Sequence, residues 1–309
     1  MEPSARPLEI FAPFGEAFEL TKKILFQPFD FPKWLAIGLG AWLATFFGGG
    51  FHYQGNNANW KTRYFNFNEQ HSLHNLPPWV IPVAIIGTLF IFALVALFLW
   101  LNARGRFMFT DCIVRNRGAV AEPWREYRAE ANSFFVFQLV IAFCAFLLFG
   151  GLAVALMVSW YWTKAVSSIV LFGALLLVWI LLMILVSLVT RFMVPVMYRR
   201  RCGATEAFRV VWPLVMSHLG VFILFVLFNI VLYLAAMILS CLAGCLTCCI
   251  AALPYVGTVV LLPVVMTLFA FPLCFIRQFG DDYDVWAVVR PVEPLPPTIP
   301  PVQDNSPPL

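Results

Sequence analysis

Long apolar runs alternate with short polar stretches from Trp34 to Ile276, and the runs fall at 33–51, 79–101, 134–160, 166–190, 219–243 and 248–276. A hydrocarbon core roughly 30 Å thick needs about 20 apolar residues in a helix, so each run is long enough to cross. Inside such a core every unpaired peptide group is costly, and the runs lack the alternation of barrel strands. The predicted fold is therefore all-α, a polytopic membrane protein of about six transmembrane helices. Gly38, Gly40 and the triplet Gly48-Gly49-Gly50 loosen the first of these, which leaves a short or re-entrant first span open.

Three amphipathic segments precede spans. In the first, Phe14, Ala17, Phe18, Thr21, Ile24 and Leu25 recur at helical spacing while Glu16, Glu19, Lys22 and Lys23 take the other face. The second sets Val120, Trp124, Tyr127 and Ala131 opposite Glu122, Arg125 and Glu126. In the third, Ala207, Phe208, Val211, Leu214 and Val215 oppose Glu206 and Arg209. Such helices lie in the plane of the membrane boundary and serve as elbows between spans.

These segments recur in register. A shift of 85 residues carries Arg106-Phe107-Met108 onto Arg191-Phe192-Met193, Arg115 onto Arg200 and Gly118 onto Gly203. Glu16-Ala17-Phe18 returns as Glu206-Ala207-Phe208, which supplies a third copy. Three helical hairpins, each led by an interfacial helix, describe the chain, and internal repetition of this kind is common in membrane bundles.

Charge orients the bundle. Of 20 Lys and Arg residues, only Lys61, Arg63 and Lys164 fall on one side of the spans, and the other 17 fall on the opposite side. Basic residues are retained in the cytoplasm, so both termini are expected there, with segment 52–78 as the one sizeable outer loop. The early glutamates and the lack of a small-residue cleavage site argue against a cleaved signal peptide. All sixteen acidic residues lie outside the six runs, which removes the intramembrane carboxylates that ion-coupled transport normally uses. Pro254, Gly257, Pro263 and Pro272 make the sixth run the most broken, the one feature that suits a translocating role.

The candidate binding residues are basic. Arg104, Arg106, Arg115, Arg117, Arg191, Arg199, Arg200 and Arg201 cluster where spans end on the basic side, at the depth where anionic lipid headgroups would sit. Membrane lipids, anionic ones included, are the expected partners, and no nucleic-acid partner is expected. Catalytic candidates are weaker. Cys241, Cys245, Cys248 and Cys249 crowd one helix end, but their neighbours are apolar and without His, so packing between helices is preferred over a disulfide or a metal site. His52, His71 and His74 with Glu69 stand in a polar loop and read as solvated. Ser159, Ser167, Ser168 and Ser187 lack a partnering His or acid. Gln138 and Asn229 are the notable polar groups within spans, and hydrogen bonding between helices accounts for them. No catalytic residue, metal or cofactor is expected.

A resemblance adds to this. Arg104-Gly105-Arg106-Phe107-Met108-Phe109 with Asp111, then Asn116-Arg117, Pro123-Trp124 and Ala131-Asn132-Ser133, resemble a group of uncharacterised bacterial multi-pass membrane proteins. That group is distantly similar to the membrane domain fused to some glycerophosphodiester phosphodiesterases. Phe26-x-Pro28-Phe29, Lys33-Trp34 and Arg277-Gln278-Phe279-Gly280 fit the same pattern, so the likeness spans most of the chain. It implies a six-helix repeat architecture in a bacterial inner membrane and no activity, since nothing here matches the phosphodiesterase catalytic domain. A membrane domain over 1–277 is expected, followed by an acidic and then Pro-rich disordered cytoplasmic tail over 278–309. The functional expectation is a non-enzymatic scaffold or lipid-interacting membrane component, with a transporter or lipid-translocating protein lacking its own energy module as the alternative.

Overall fold

The computed structural model describes residues 9–45, 79–163, 166–246 and 254–289. Ten α-helices occupy them: α1 Phe11–Phe26, α2 Phe31–Thr45, α3 Val80–Arg115, α4 Ala121–Glu126, α5 Arg128–Thr163, α6 Val166–Arg200, α7 Ala204–Ser217, α8 Leu219–Leu246, α9 Pro254–Val260 and α10 Leu262–Ile276. Five stretches among the described residues are long and apolar enough to cross a membrane: Ile85–Arg115, Arg128–Ser159, Val170–Arg200, Leu219–Leu246 and Leu262–Phe279. The protein is an all-α polytopic membrane protein. Expected spans two to five correspond to α3, α5, α6 and α8. The first begins in α2, whose described part ends at Thr45, and residues 46–51 lie outside the described ones.

The expected sixth span is two helices, and proline is the reason. Pro263 has no N–H to offer the carbonyl of Val259, one helical turn back, and the chain breaks at Leu261 between α9 and α10. The indole Nε1 of Trp34 donates to that carbonyl instead, at 3.1 Å.

α3, α5 and α6 contain 36, 36 and 35 residues, about 50 Å each at roughly 1.5 Å per residue, well beyond a hydrocarbon core of roughly 30 Å. Each therefore divides into an apolar half and a packed half. The packed halves, Ala103–Val114 of α3 and Val189–Tyr198 of α6, join α1, α2, α7 and α10 in a single buried core. Its centre is a phenylalanine cluster: Phe225 lies 4.5 Å from Phe275 and 4.9 Å from Phe271, and Phe192 lies 5.2 Å from Phe222. Rings at these separations gain from edge and offset contacts as well as from burial.

The three amphipathic segments bury the faces expected of them. α1 buries Ala17, Thr21, Ile24 and Leu25, and α7 buries Ala207, Val211 and Val215. α1 runs antiparallel to α10, tied by Thr267 Oγ1 to Thr21 Oγ1 at 3.1 Å, Arg277 to Glu16 at 2.7 Å and Gln278 Nε2 to the Glu9 carbonyl at 2.9 Å. The second segment is shorter: α4 stops at Glu126 and α5 starts at Arg128. α2 lies against the packed half of α3 at very close range. A Cβ on Gly105 would come 2.6 Å from the backbone of Leu43 and Ala44, so only glycine fits there. Asn102, beside it, donates its Nδ2 to the carbonyls of Ala44 at 2.7 Å and Leu43 at 3.3 Å, satisfying acceptors at the end of α2.

The packed unit continues past the boundary expected at 277. Arg277–Phe279, Asp281–Tyr283 and Val285–Val288 form 3₁₀ turns, Val285 is fully buried, and Asp284 caps the last turn by accepting from the Trp286 N–H at 3.0 Å. One buried apolar side chain and its cap hold this acidic stretch to the bundle, and residues 290–309 lie outside the described ones.

Candidate functional site

The arginine-rich ends of α3 and α6 meet, and the eight candidate arginines separate by what faces them. The first set surrounds Asp111, whose side chain is wholly buried. Its Oδ1 accepts from the Tyr198 hydroxyl at 2.9 Å and pairs with Arg115 Nε at 3.1 Å, and its Oδ2 accepts from Arg117 Nε at 3.1 Å. A second tier of carboxylates completes the network: Arg115 reaches Glu126 at 2.9 Å, Arg117 reaches Glu122 at 2.6 Å, and Arg201 pairs with Glu126 and with Glu130 at 3.4 Å. Burial disfavours the charge on Arg117, but the hydrogen bond from Glu122 and the Asp111 carboxylate outweigh it, holding the guanidinium above its ordinary range.

Local backbone places these groups. After α3 the chain turns through Asn116 at φ 51°, which brings Arg117 back onto Asp111, and after α6 it turns through Arg201 at φ 52°. The two left-handed residues are 85 positions apart, the same spacing that relates the sequence motifs. Asn tolerates this conformation and Arg does so poorly. Arg201 is held there by Glu126, Glu130 and the Tyr127 ring, which its guanidinium covers at 3.9 Å. Tyr127 in turn stacks on Tyr198 with centroids 4.7 Å apart. Lys33 pins the Asn116 turn to α1, its Nζ donating to Asn116 Oδ1 at 2.8 Å and to the Ile24 carbonyl at 3.3 Å.

Arg104 and Arg200 are also engaged. Arg104 sits between the Trp100 and Trp124 rings, 4.6 and 5.0 Å from their centroids, and donates to Asn132 Oδ1 at 3.1 Å. Arg200 pairs with Asp282 at 3.3 Å, so the ordered acidic stretch after α10 meets the end of α6. Arg199 has a buried Nε without a partner.

Arg106 and Arg191 differ from all of these. They occupy equivalent positions of the repeat and line the same crevice between α3, α5 and α6, a space of about 630 Å³. The Arg106 side chain makes no hydrogen bond or ion pair among the described residues, and its Nε is buried without a partner. Arg191 has a 3.4 Å contact to Asn229 Oδ1 and lies 5.5 Å from the Tyr233 ring, again with no carboxylate. Beyond the arginines the crevice is walled by Leu99, Ile141, Ala145 and Met183, and a neighbouring apolar hollow of about 360 Å³ runs between α6 and α8.

The family of unknown function DUF7544 matches residues 8–282, nearly all of the described chain. The chain belongs to that family. Comparison with the curated proteins and with the solved structures finds no match. The DUF7544 match covers the packed layer, the long helices and the arginine cluster together. Among the described residues no group of three or more His, Cys, Asp and Glu could hold a metal ion. His52, His71, His74, Cys248 and Cys249 lie outside the described residues, while Cys241 and Cys245 are free and exposed on α8.

Sequence reasoning selected the arginines and missed their carboxylates. The signal for Asp111 was present as an Asp–Arg pair at i,i+4 with Arg115, and Glu122 and Glu126 share one helix face, but nothing local indicated that Arg201 would join them across 75 residues.

Proposed function

We propose that this protein is a non-enzymatic, lipid-interacting component of a membrane, in which the packed layer holds long helices apart within the bilayer. The observation that carries this reading is the crevice between α3, α5 and α6, open sideways and walled by apolar side chains above the Arg106 and Arg191 pair. In a bilayer, acyl chains are what would fill such a space. The location we propose is a bacterial inner membrane with the basic face and both termini in the cytoplasm, as the 17-to-3 distribution of basic residues suggests. The resemblance to the membrane domain of glycerophosphodiester phosphodiesterases bears on architecture alone, and hydrolysis is not proposed.

The test is to purify the protein in mild detergent and identify glycerophospholipid that survives a delipidating wash. Retention of lipid, with unfolding temperature rising when lipid is added back, is expected. A fully stripped protein indifferent to added lipid would refute the proposal. Lipid translocation is the second reading, favoured by the break between α9 and α10. It requires that proteoliposomes move a fluorescent lipid between leaflets faster than protein-free vesicles do.

A further inference from the structure

We infer that Arg106 and Arg191 together bind one phosphate-type oxyanion, carried by an amphiphile whose apolar chain enters the crevice between α3, α5 and α6. The inference deepens the lipid-interacting reading and rests on it for the source of the phosphate.

The first support is a contrast in charge pairing. Arg115, Arg117, Arg200 and Arg201 all meet carboxylates, whereas Arg106 and Arg191 line one space with no acidic group between them. Two guanidinium groups brought to one partly buried cavity repel, and the arrangement is unfavourable until an anion sits between them. The fold supplies counter-charge a few residues away and omits it here.

The second support is unspent hydrogen bonding. Arg106 Nε is buried without an acceptor, and the Oε1 of Gln138, which lines the same crevice, is buried without a donor. Rotation of that terminal amide turns its NH₂ inward, since oxygen and nitrogen exchange places at little cost. Thr190 and Ser187 line the crevice beside Arg191. Planar guanidinium forks suit the oxygens of a phosphate, which accept several charge-assisted bonds at once.

Depth and shape decide between a free ion and an amphiphile. Twenty-two residues from Val80 to Leu101 span about 33 Å, one hydrocarbon thickness, so Arg106 falls within about one helical turn and a half beyond it, at headgroup depth. Arg191 follows directly on the apolar run of α6. On the bilayer side of the pair the wall is Leu99, Ile141, Ala142, Ala145 and Met183, which suits an acyl chain and offers nothing to a hydrated ion. The repeat explains how the site arose: equivalent arginines of two copies converge because their two helices pack together at the same level.

The experiment uses the whole protein, delipidated in detergent, as wild type, Arg106→Gln, Arg191→Gln, the double variant, the charge-keeping double Lys variant, and the exposed control Arg209→Gln. Native mass spectrometry reads retention of added phosphatidylglycerol, and a parallel titration reads inorganic phosphate. Phosphatidylglycerol retention is expected to fall about tenfold or more in the double Gln variant, to recover in part with Lys, and to match wild type in the control. Unchanged retention in a double Gln variant that unfolds at the wild-type temperature overturns the site while leaving lipid binding elsewhere. Loss of inorganic phosphate binding with no preference for the lipid keeps the site and overturns its lipid source. No lipid retained by wild type overturns the lipid-interacting reading itself. Should the double Gln variant unfold, the single variants decide: retention equal to wild type in both overturns the site, and a loss in each supports it.

Discussion

Residues Ile85–Leu101 and Asn102–Val114 belong to one unbroken helix, α3, and they behave oppositely. The first half is the more apolar and is largely exposed, with Ile86 and Phe90 near two thirds accessible at 66% and 64%. The second half holds Asn102, Arg104 and Asp111, and these are among the most buried polar residues of the protein. α6 repeats the division, exposed through Leu171 and Leu181 and buried from Phe192 to Tyr198. In water, apolar surface seeks other protein surface. In a bilayer, lipid tails accept it equally well, so tight packing is left to small residues, aromatic clusters and polar groups that satisfy one another. Hydrophobicity along this chain therefore reports contact with lipid, and the core forms where hydrophobicity is interrupted.

That contrast can be broken first at the level of sidedness, where the effect is all or none. A short tag within 52–78 should react with an impermeant reagent added from outside, and a tag at Val120 or Thr205, beside the packed layer, should react only after the membrane is opened. Labelling at Thr205 in intact spheroplasts would reverse the orientation and put the packed layer outside.

The next largest effect concerns the buried ion network. Replacing Asp111 by Ala strips Arg115 and Arg117 of their shared carboxylate and leaves the Tyr198 hydroxyl unpaired. Removing one partner of a buried pair costs about 3–5 kcal/mol, so the variant should unfold at markedly lower temperature in detergent or fail to accumulate. A wild-type melting temperature would mean that the network contributes little to the packed layer.

The smallest effect compares two glycines of α3. Gly105→Ala pushes a methyl group into the backbone of α2 and should cost about 1–3 kcal/mol, the usual range for overpacking. Gly87→Ala adds the same methyl group in the exposed half, where nothing lies within 4 Å, and should cost nothing measurable. Equal effects from the two, read by thermal unfolding of the purified variants, would erase the distinction between the halves.

Much of the candidate site was legible by charge and by repetition. The shift of 85 residues already placed Arg106 on Arg191, and the structure adds that the two left-handed turns, Asn116 and Arg201, obey the same shift. What could not be read was which arginines are free. Arg117 and Arg106 look alike in sequence, each in a basic cluster at the end of a span. Only the turn at Asn116 sends one to Asp111 and Glu122 and leaves the other facing an apolar crevice.

The sequence by itself determined that the chain is helical and membrane-embedded, where four of its long helices run, and which faces of α1 and α7 are buried. These follow from hydrophobic length and periodicity, properties that each segment carries alone. The tertiary structure decided the rest: that Gly40 and Gly105 draw α2 onto α3, that Pro263 and Trp34 divide the last span, that Val285 holds the acidic stretch to the bundle, and that Arg106 and Arg191 share a space without a counter-charge. Each of those depends on a contact between residues far apart in the chain, and such contacts are set by how helices pack rather than by anything a single helix encodes.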